Sequence, residues 1–214
     1  MLFGGLDIPT IIARAIVLLF AFTFHELAHA LTADRLGDPT PRRMGRLTLN
    51  PLAHLDPLGT LLLLVSGFGW AKPVMVVPGN LRGNPRTSMA LVAAAGPVSN
   101  LVMASLGAIP LRLDLLKLEP GLGNILPAPA ELLFTFVWIN LILAFFNLIP
   151  IPPLDGYRIL SNLLPYEMAE GLRPLEQFGF LILMVVVFLA PAVLQLVVVE
   201  PAAGLLGLLL GAPV

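Results

Sequence analysis

The chain has 214 residues, of which 57% are hydrophobic and 12% are charged, and it contains no cysteine. Soluble domains average about 25% charged residues, so this composition excludes an ordinary soluble protein and predicts an integral membrane protein. The formal net charge of −1 and the lack of a basic run with interleaved aromatic residues argue against a nucleic-acid partner. Without cysteine, any metal site must be built from His, Asp or Glu.

Four stretches are long and apolar enough to cross a bilayer, since each crossing needs about 20 apolar residues. They are residues 8–33, about 88–110, 131–150 and about 178–199. The first has neither a basic leader nor a small-residue cleavage site, so we expect it to be retained as a helix. The sequence therefore predicts an all-α polytopic membrane protein: a bundle of about four to six transmembrane or re-entrant helices in a single domain, residues 1–214.

Shorter segments add three expectations. Residues 57–69, "PLGTLLLLVSGFG", are too few to cross and predict a re-entrant or interfacial segment. "GWAKPVMVVPGN" after it and "RLTLN" before it have the composition of short strands, which predicts a small membrane-associated β element. The apolar tail "PAAGLLGLLLGAPV" is too short to cross, so we expect it to lie along the bundle or the interface.

The basic residues indicate an orientation. If residues 57–69 do not cross, nine of the 12 Lys and Arg residues lie on the side where the first helix ends. These nine are Arg35, Arg42, Arg43, Arg46, Lys72, Arg82, Arg86, Arg158 and Arg173. Cytoplasmic loops collect Lys and Arg, so we expect this side to face the cytoplasm of a prokaryotic cell. The third long helix then runs towards the same side and brings "NLIPIPPLDG" to the end of the first helix.

Two histidines and a glutamate lie within the first apolar stretch, in "HELAH" at residues 25–29. His25 and His29 are four residues apart, so both imidazoles project from one helix face, with Glu26 beside them. Ionisable residues inside a membrane span are costly and are functional by default. The spacing is typical of a hydrolytic zinc site, in which zinc takes three protein ligands and a water, and a carboxylate acts as the base.

The third ligand has two candidates, Asp155 and His54. Asp155 follows the prolines that end the third long helix, and the same pattern also fits an ordinary Asp-Gly turn with no metal. His54 fits a zinc donor, because a neutral imidazole binds zinc well, but it also fits an interfacial packing residue. The residues alone leave both candidates open.

The two motifs together resemble those of the site-2 proteases, a family of zinc-dependent intramembrane endopeptidases. The family patterns H-E-x-x-H and N-x-x-P-x-x-P-x-D-G are matched without substitution by "HELAH" at 25–29 and "NLIPIPPLDG" at 147–156. "NPLAHLDPLGT", "GWAKPV" and "GPVSN" also look like the short bacterial and archaeal members without PDZ or CBS domains. The resemblance implies one Zn²⁺ per chain, held by His25, His29 and Asp155, with Glu26 as the catalytic base.

The resemblance also implies a function and a setting. The expected reaction is hydrolysis of peptide bonds within or near the transmembrane segments of membrane-protein substrates, with the active site nearer the cytoplasmic side of a multi-pass protein. His54 is then expected to line the cleft, with the ligand role as its alternative. The rival function is a non-proteolytic membrane metal-binding or transport protein, although the chain has no internal repeat of the transporter kind.

Three asparagines fit either a functional role or a packing role. Asn140 and Asn147 are seven residues apart in the third long stretch and share a helix face. Either amide could stabilise the transition state or orient the substrate, and both could instead tie helices together. "AAAGPVSN" at 93–100 clusters small residues and predicts close helix packing rather than chemistry, with Asn100 as a side chain that could face the site.

Overall fold

The computed structural model of the protein describes residues 8–57, 59, 69–116 and 126–211. Most of these residues lie in helices. The α-helices with described bounds are α1 (Ile8–Arg35), α2 (Thr40–Arg43), α3 (Pro85–Arg112), α4 (Pro129–Asn147), α5 (Asp155–Leu163), α6 (Tyr166–Leu172), α7 (Pro174–Leu189) and α8 (Pro191–Leu210), the last with a π-helical stretch at Gln195–Val199. Short 3-10 helices lie at Pro51–Ala53 and Pro78–Asn80.

In the part of the chain that the structure describes, four helices are long and apolar enough to cross a membrane: α1, α3, α4 and α8. The pair α6 and α7 is bent by 50° at its junction and is a fifth candidate if it counts as one span. The predicted all-helical bundle of membrane-spanning segments is therefore confirmed.

Helix α3 is central to the bundle and packs against α1, α4 and α5. Its buried face includes many small residues, among them Ala93, Gly96, Ala104, Gly107 and Ala108. A β-carbon at Gly107 would come within 3.0 Å of the Phe136 ring of α4. Such close approach is what holds membrane helices together, because apolar side chains gain little by moving from lipid into protein.

Proline marks where several helices begin. Pro85, Pro129, Pro174 and Pro191 each lie in the first turn of a helix. The amide hydrogen that proline lacks would have no acceptor within the helix at this position. In front of Pro85, the Asn84 side chain accepts two backbone N–H groups of the first turn and caps α3.

The connection between α1 and α3 returns to the place where α1 ends. The Arg82 backbone N–H donates to the Leu36 carbonyl at 2.7 Å. Gly37 packs so closely on the Arg82 side chain that a β-carbon would lie 2.9 Å from it. Both ends of this connection therefore lie at one face of the bundle. The prediction that "HELAH" and "NLIPIPPLDG" meet on one side requires this arrangement. Most of the predicted re-entrant segment, residues 58 and 60–68, lies outside the described residues.

The predicted bounds of the fourth span, about 178–199, are wrong. Helix α7 ends at Leu189 and α8 begins at Pro191, so the expected span is divided between two helices. Proline cannot continue the hydrogen-bond ladder of α7, because it has no amide hydrogen. The apolar tail joins the residues before it in α8, a candidate span of 20 residues rather than a short interfacial segment.

The predicted β element does not form as strands within the described residues. The β pairing found there is an isolated antiparallel bridge between Leu55 and Ala71. Residues 72–77 have no regular secondary structure. The physical reason is that side chains take the backbone groups a sheet would use: the N–H groups of Val74 and Val77 donate to carboxylates, and Pro73 has no N–H to donate.

The course of the chain predicts which surfaces share a side of the membrane. Cysteines replacing Leu49 and Leu163, both more than 60% exposed, should react with a membrane-impermeant maleimide from the same side of the membrane. A cysteine at Leu115, beyond the far end of α3 and 68% exposed, should react only from the opposite side. Labelling of intact cells and inverted vesicles measures this. Opposite sides for Leu49 and Leu163 would contradict the fold. Lys117, the basic residue of that far loop, lies outside the described residues.

Candidate metal centre and active site

A cavity of about 500 Å³ lies among α1, α3, α4, α5, α7 and residues 69–76. Much of its wall is apolar and aromatic. His25, Glu26 and His29 reach it from α1, and Asp155 reaches it from the first residue of α5. Two sequence motifs that are more than 100 residues apart thus meet in one cavity, as the sequence predicts.

Three of these side chains present ligand atoms to a single point. Asp155 Oδ2 lies 3.1 Å from His25 Nε2 and 3.2 Å from His29 Nε2. The two Nε2 atoms are 3.1 Å apart. All three residues are at most 7% exposed, and their ligand atoms lie within 4.8 Å of one another, which is compatible with a shared metal ion.

The partners of the other ring nitrogens assign the tautomers. His29 Nδ1 lies 2.7 Å from the Val92 carbonyl, and His25 Nδ1 lies 2.6 Å from Asn100 Oδ1. A carbonyl oxygen only accepts, so both Nδ1 atoms donate, and each neutral ring keeps its lone pair on Nε2. The Asn100 orientation is fixed in turn, because its Nδ2 donates to Asn140 Oδ1 at 2.8 Å.

This donor set fits a cation. Two imidazole lone pairs and a carboxylate oxygen point at each other in a buried place, where such an arrangement is repulsive unless a positive charge lies between them. Asp155 Oδ2 is buried and has no hydrogen-bond donor. Two nitrogens and one oxygen are a usual ligand set for catalytic zinc.

Gly96 makes room for the two imidazoles. A β-carbon at this position of α3 would lie 2.4 Å from His29 Nε2 and 2.6 Å from His25 Nε2. Gly96 and Asn100 are one turn apart on α3, so the same helix face supports both histidines. The segment 93–100, expected to serve packing, thus shapes the candidate metal centre. Its Gly-x-x-x-Asn spacing is the sequence signal that identifies this helix face.

Glu26 lies beside the cluster without joining it. Its Oε2 accepts the Val74 backbone N–H at 3.2 Å, and its side chain is 9% exposed and lines the cavity. A carboxylate held by one amide at the edge of a cavity can still exchange a proton with a molecule bound there.

The remaining predicted residues differ in their distance from the site. Asn140 is fully buried, and its described link to the two histidines is its hydrogen bond with Asn100. Asn147 lines the cavity and donates to the Leu143 carbonyl. His54 is fully buried, its Nε2 bonds to the Thr48 carbonyl, and it is absent from the described lining of the cavity. The described contacts therefore connect Asn140 and Asn147 to the site but not the His54 ring.

A polytopic helical bundle with this donor set and a neighbouring glutamate defines a membrane metallopeptidase. Residues 123–192 match the model of peptidase family M50. The chain is 46% identical over 183 residues to the Bacillus subtilis (strain 168) protein named "Putative zinc metalloprotease YwhC", an alignment that covers 82% of this chain and 80% of that protein. The chain belongs to peptidase family M50, the family of the site-2 proteases.

Two mycobacterial relatives are more distant. Proteins named "Putative zinc metalloprotease Rip2" from Mycolicibacterium smegmatis and Mycobacterium tuberculosis H37Rv are 35% and 34% identical, over 81% of this chain. The alignments cover 65% of each relative, so these proteins are longer than the matched region. No solved structure matches the chain significantly.

The geometry predicts that Asp155, and not His54, holds the metal. We expect Asp155→Ala to lose most bound zinc, because it removes one of three converging donors, and His54→Ala to retain it. Metal content of the purified variants, measured by mass spectrometry, checks this. Zinc lost from the His54 variant and kept by the Asp155 variant would mean that the third ligand is wrongly assigned.

A second prediction concerns Gly96. In Gly96→Ala the new methyl group would displace both imidazoles, and we expect an affinity loss of about 10- to 100-fold, as when groups that orient metal ligands are removed. Gly204→Ala is the matched control, since a β-carbon at that helical position meets nothing within 4 Å. Zinc titration of the two variants measures the effect. Equal zinc affinity in Gly96→Ala and Gly204→Ala would show that the space beside Gly96 is not needed for metal binding.

Proposed function

We propose that this protein is a zinc-dependent intramembrane endopeptidase. The observation that carries the proposal is the convergence of His25, His29 and Asp155 ligand atoms beside Glu26, in a cavity among membrane-spanning helices. In this proposal the three converging residues hold one zinc ion. Membership of family M50 and the names of the relatives support the same activity.

The roles of the residues follow from their positions. A bound zinc ion would supply a Lewis acid that lowers the pKa of water and polarises the scissile carbonyl. Glu26 takes a proton from the attacking water as the new C–O bond forms and the carbonyl carbon becomes tetrahedral. It then delivers this proton to the amide nitrogen as the C–N bond breaks, which leaves a carboxylic acid and a free amine. Asn100 and the Val92 carbonyl keep both imidazoles in the tautomer that directs Nε2 towards the ion.

We propose transmembrane protein segments as substrates. A helical substrate hides its carbonyls in hydrogen bonds, so it must unwind locally before water can attack. Residues 73–77 then offer backbone groups to the extended segment by strand addition. Met75 is 58% exposed, Val76 lines the cavity, and neither amide donates to a described residue. The Asn147 amide, at the cavity wall, is a candidate donor to the substrate backbone or the developing oxyanion.

The setting we propose is the prokaryotic cytoplasmic membrane, with the active site nearer the cytoplasm. The supporting observation is that the chain leaves α1 and enters α3 at one face, which gives the basic residues of residues 36–84 a common side. Lys and Arg collect on the cytoplasmic side of membrane proteins. The side where α1 ends, six to ten residues beyond the histidines, also gives water the shortest route to the site.

The central test separates metal binding from catalysis. We expect Glu26→Gln to retain zinc and to lower kcat by about 100- to 10,000-fold, since the amide cannot accept the proton. The assay uses detergent-purified enzyme with a panel of single-span membrane proteins from the same cell, with and without chelator. Full activity in the Glu26 variant, or cleavage that survives complete removal of zinc, would contradict the proposed mechanism.

A further inference from the structure

The hydrogen bond that Glu26 accepts comes from a segment without regular structure. Val74 lies within residues 72–77, which belong to no helix or strand. An amide in such a segment can hold a carboxylate in place only if other contacts fix the segment itself. The residues that fix it therefore bear directly on the position of the proposed base.

Arg46 is the side chain that holds this segment next to Val74. Its guanidinium donates to the Pro73 carbonyl at 3.1 Å and to the Ala53 carbonyl at 2.6 Å. The Pro73 carbonyl and the Val74 N–H belong to the same peptide unit, so Arg46 and Glu26 bind the two polar groups of one peptide bond. The Lys72 N–H donates to the His54 carbonyl at 2.8 Å, which joins the same two stretches of chain.

Burial distinguishes Arg46 from an ordinary surface arginine. It is 2% exposed, whereas Arg42 on the same connection is an exposed residue that forms an ion pair with Asp34. Burying a guanidinium against neutral carbonyls is costly, and an apolar residue would fill the space with less desolvation. What arginine adds is a rigid fork that reaches two carbonyls at once.

Asp38 fixes the far end of the segment. It is fully buried, and its Oδ2 accepts the Val77 N–H at 2.7 Å while Oδ1 accepts from Thr40 and Asn80. Burial raises the pKa of Asp38, but the hydrogen bonds from Asn80, Thr40 and Val77 outweigh burial and lower it, which keeps the carboxylate charged. The segment is thus held at Pro73 and at Val77, with the Glu26 contact between the two attachments.

We propose that Arg46 is a positioning residue for Glu26, acting through Pro73 and the Val74 amide. Arg46 holds the Val74 N–H at the place where it orients the Glu26 carboxylate towards the cavity. This inference rests on the proposed function, since it assumes that Glu26 is the base. The inference also gives a role to the segment "RLTLN", which was expected to form a strand and instead contributes the buried Arg46.

The first test is kinetic. We expect Arg46→Met to lower kcat by about 100-fold, the effect of displacing a catalytic group by about 1 Å, with little change in KM and with zinc retained. Arg46→Lys should recover part of kcat, because an ammonium reaches one carbonyl but lacks the fork. Arg42→Met is the matched control and should behave as wild type. Rates are measured per folded, zinc-loaded enzyme on a single-span membrane protein that the Glu26-dependent assay identifies.

The second test does not depend on activity. The chain has no cysteine, so spin labels can be attached at Met75→Cys and Leu163→Cys, both exposed positions, the second on the helix that carries Asp155. The distance distribution between them should be narrow with Arg46, broader in Arg46→Met, and unchanged in Arg42→Met. If Arg46→Met does not fold, Arg46→Lys is used in both tests. We then expect a partial loss of kcat and an intermediate broadening of the distance distribution.

The outcomes separate this inference from the proposed function. An active Glu26→Gln enzyme contradicts the proposed function. If Glu26→Gln is inactive but the Arg46 variants have a normal kcat, the proposed role of Arg46 is wrong and the proposed function is not contradicted. Loss of zinc together with activity in Arg46→Met, or an unchanged distance distribution, also overturns it, because Arg46 would then act on the metal centre or not hold the segment.

Discussion

The structure depends on one electrostatic constraint: two imidazole lone pairs and a carboxylate oxygen meet at a buried point within a few ångströms. Such a group needs a positive charge between its members, which a metal ion would supply, and it forms only if helices from distant parts of the chain keep the donors in place. Helix α3 meets this requirement. Gly96 leaves room for the rings, and the Val92 carbonyl and Asn100 select their tautomers.

The same constraint explains the irregular backbone near the site. A water-consuming reaction inside a membrane protein needs polar groups and an opening, and non-helical backbone at such a depth is tolerated only where protein or a wet cavity satisfies it. Here buried charged side chains do so: Arg46 donates to carbonyls, and Asp38 and Glu26 accept amides. The wall of the cavity opposite the helices is therefore fixed by individual side chains instead of by a sheet.

The arrangement favours a peptidase over a metal carrier. A carrier needs ligands along a path, and transporters build their sites from paired repeats near the bilayer midplane. Within the described ranges, the group of His, Asp and Glu residues close enough to share an ion is His25, His29 and Asp155. Glu26 lies outside that group yet borders the cavity, a position that suits proton transfer and adds nothing to metal binding.

The sequence by itself determined the membrane class, the first three long helices and the presence of the motifs "HELAH" and "PPLDG", because hydropathy and helical spacing are local properties that survive in any packing. The residues alone left Asp155 and His54 open as the partner of the two histidines, and the family resemblance implied Asp155. The tertiary structure places Asp155 beside them, a result that local patterns cannot give because both candidates lie outside α1 and their distance from it depends on how the chain returns. It also decided the break at Pro191, where two apolar runs read as one. Finally, it decided that Val74 and Val77 bond to Glu26 and Asp38 rather than to a neighbouring strand, because backbone groups choose among acceptors that packing alone brings within reach.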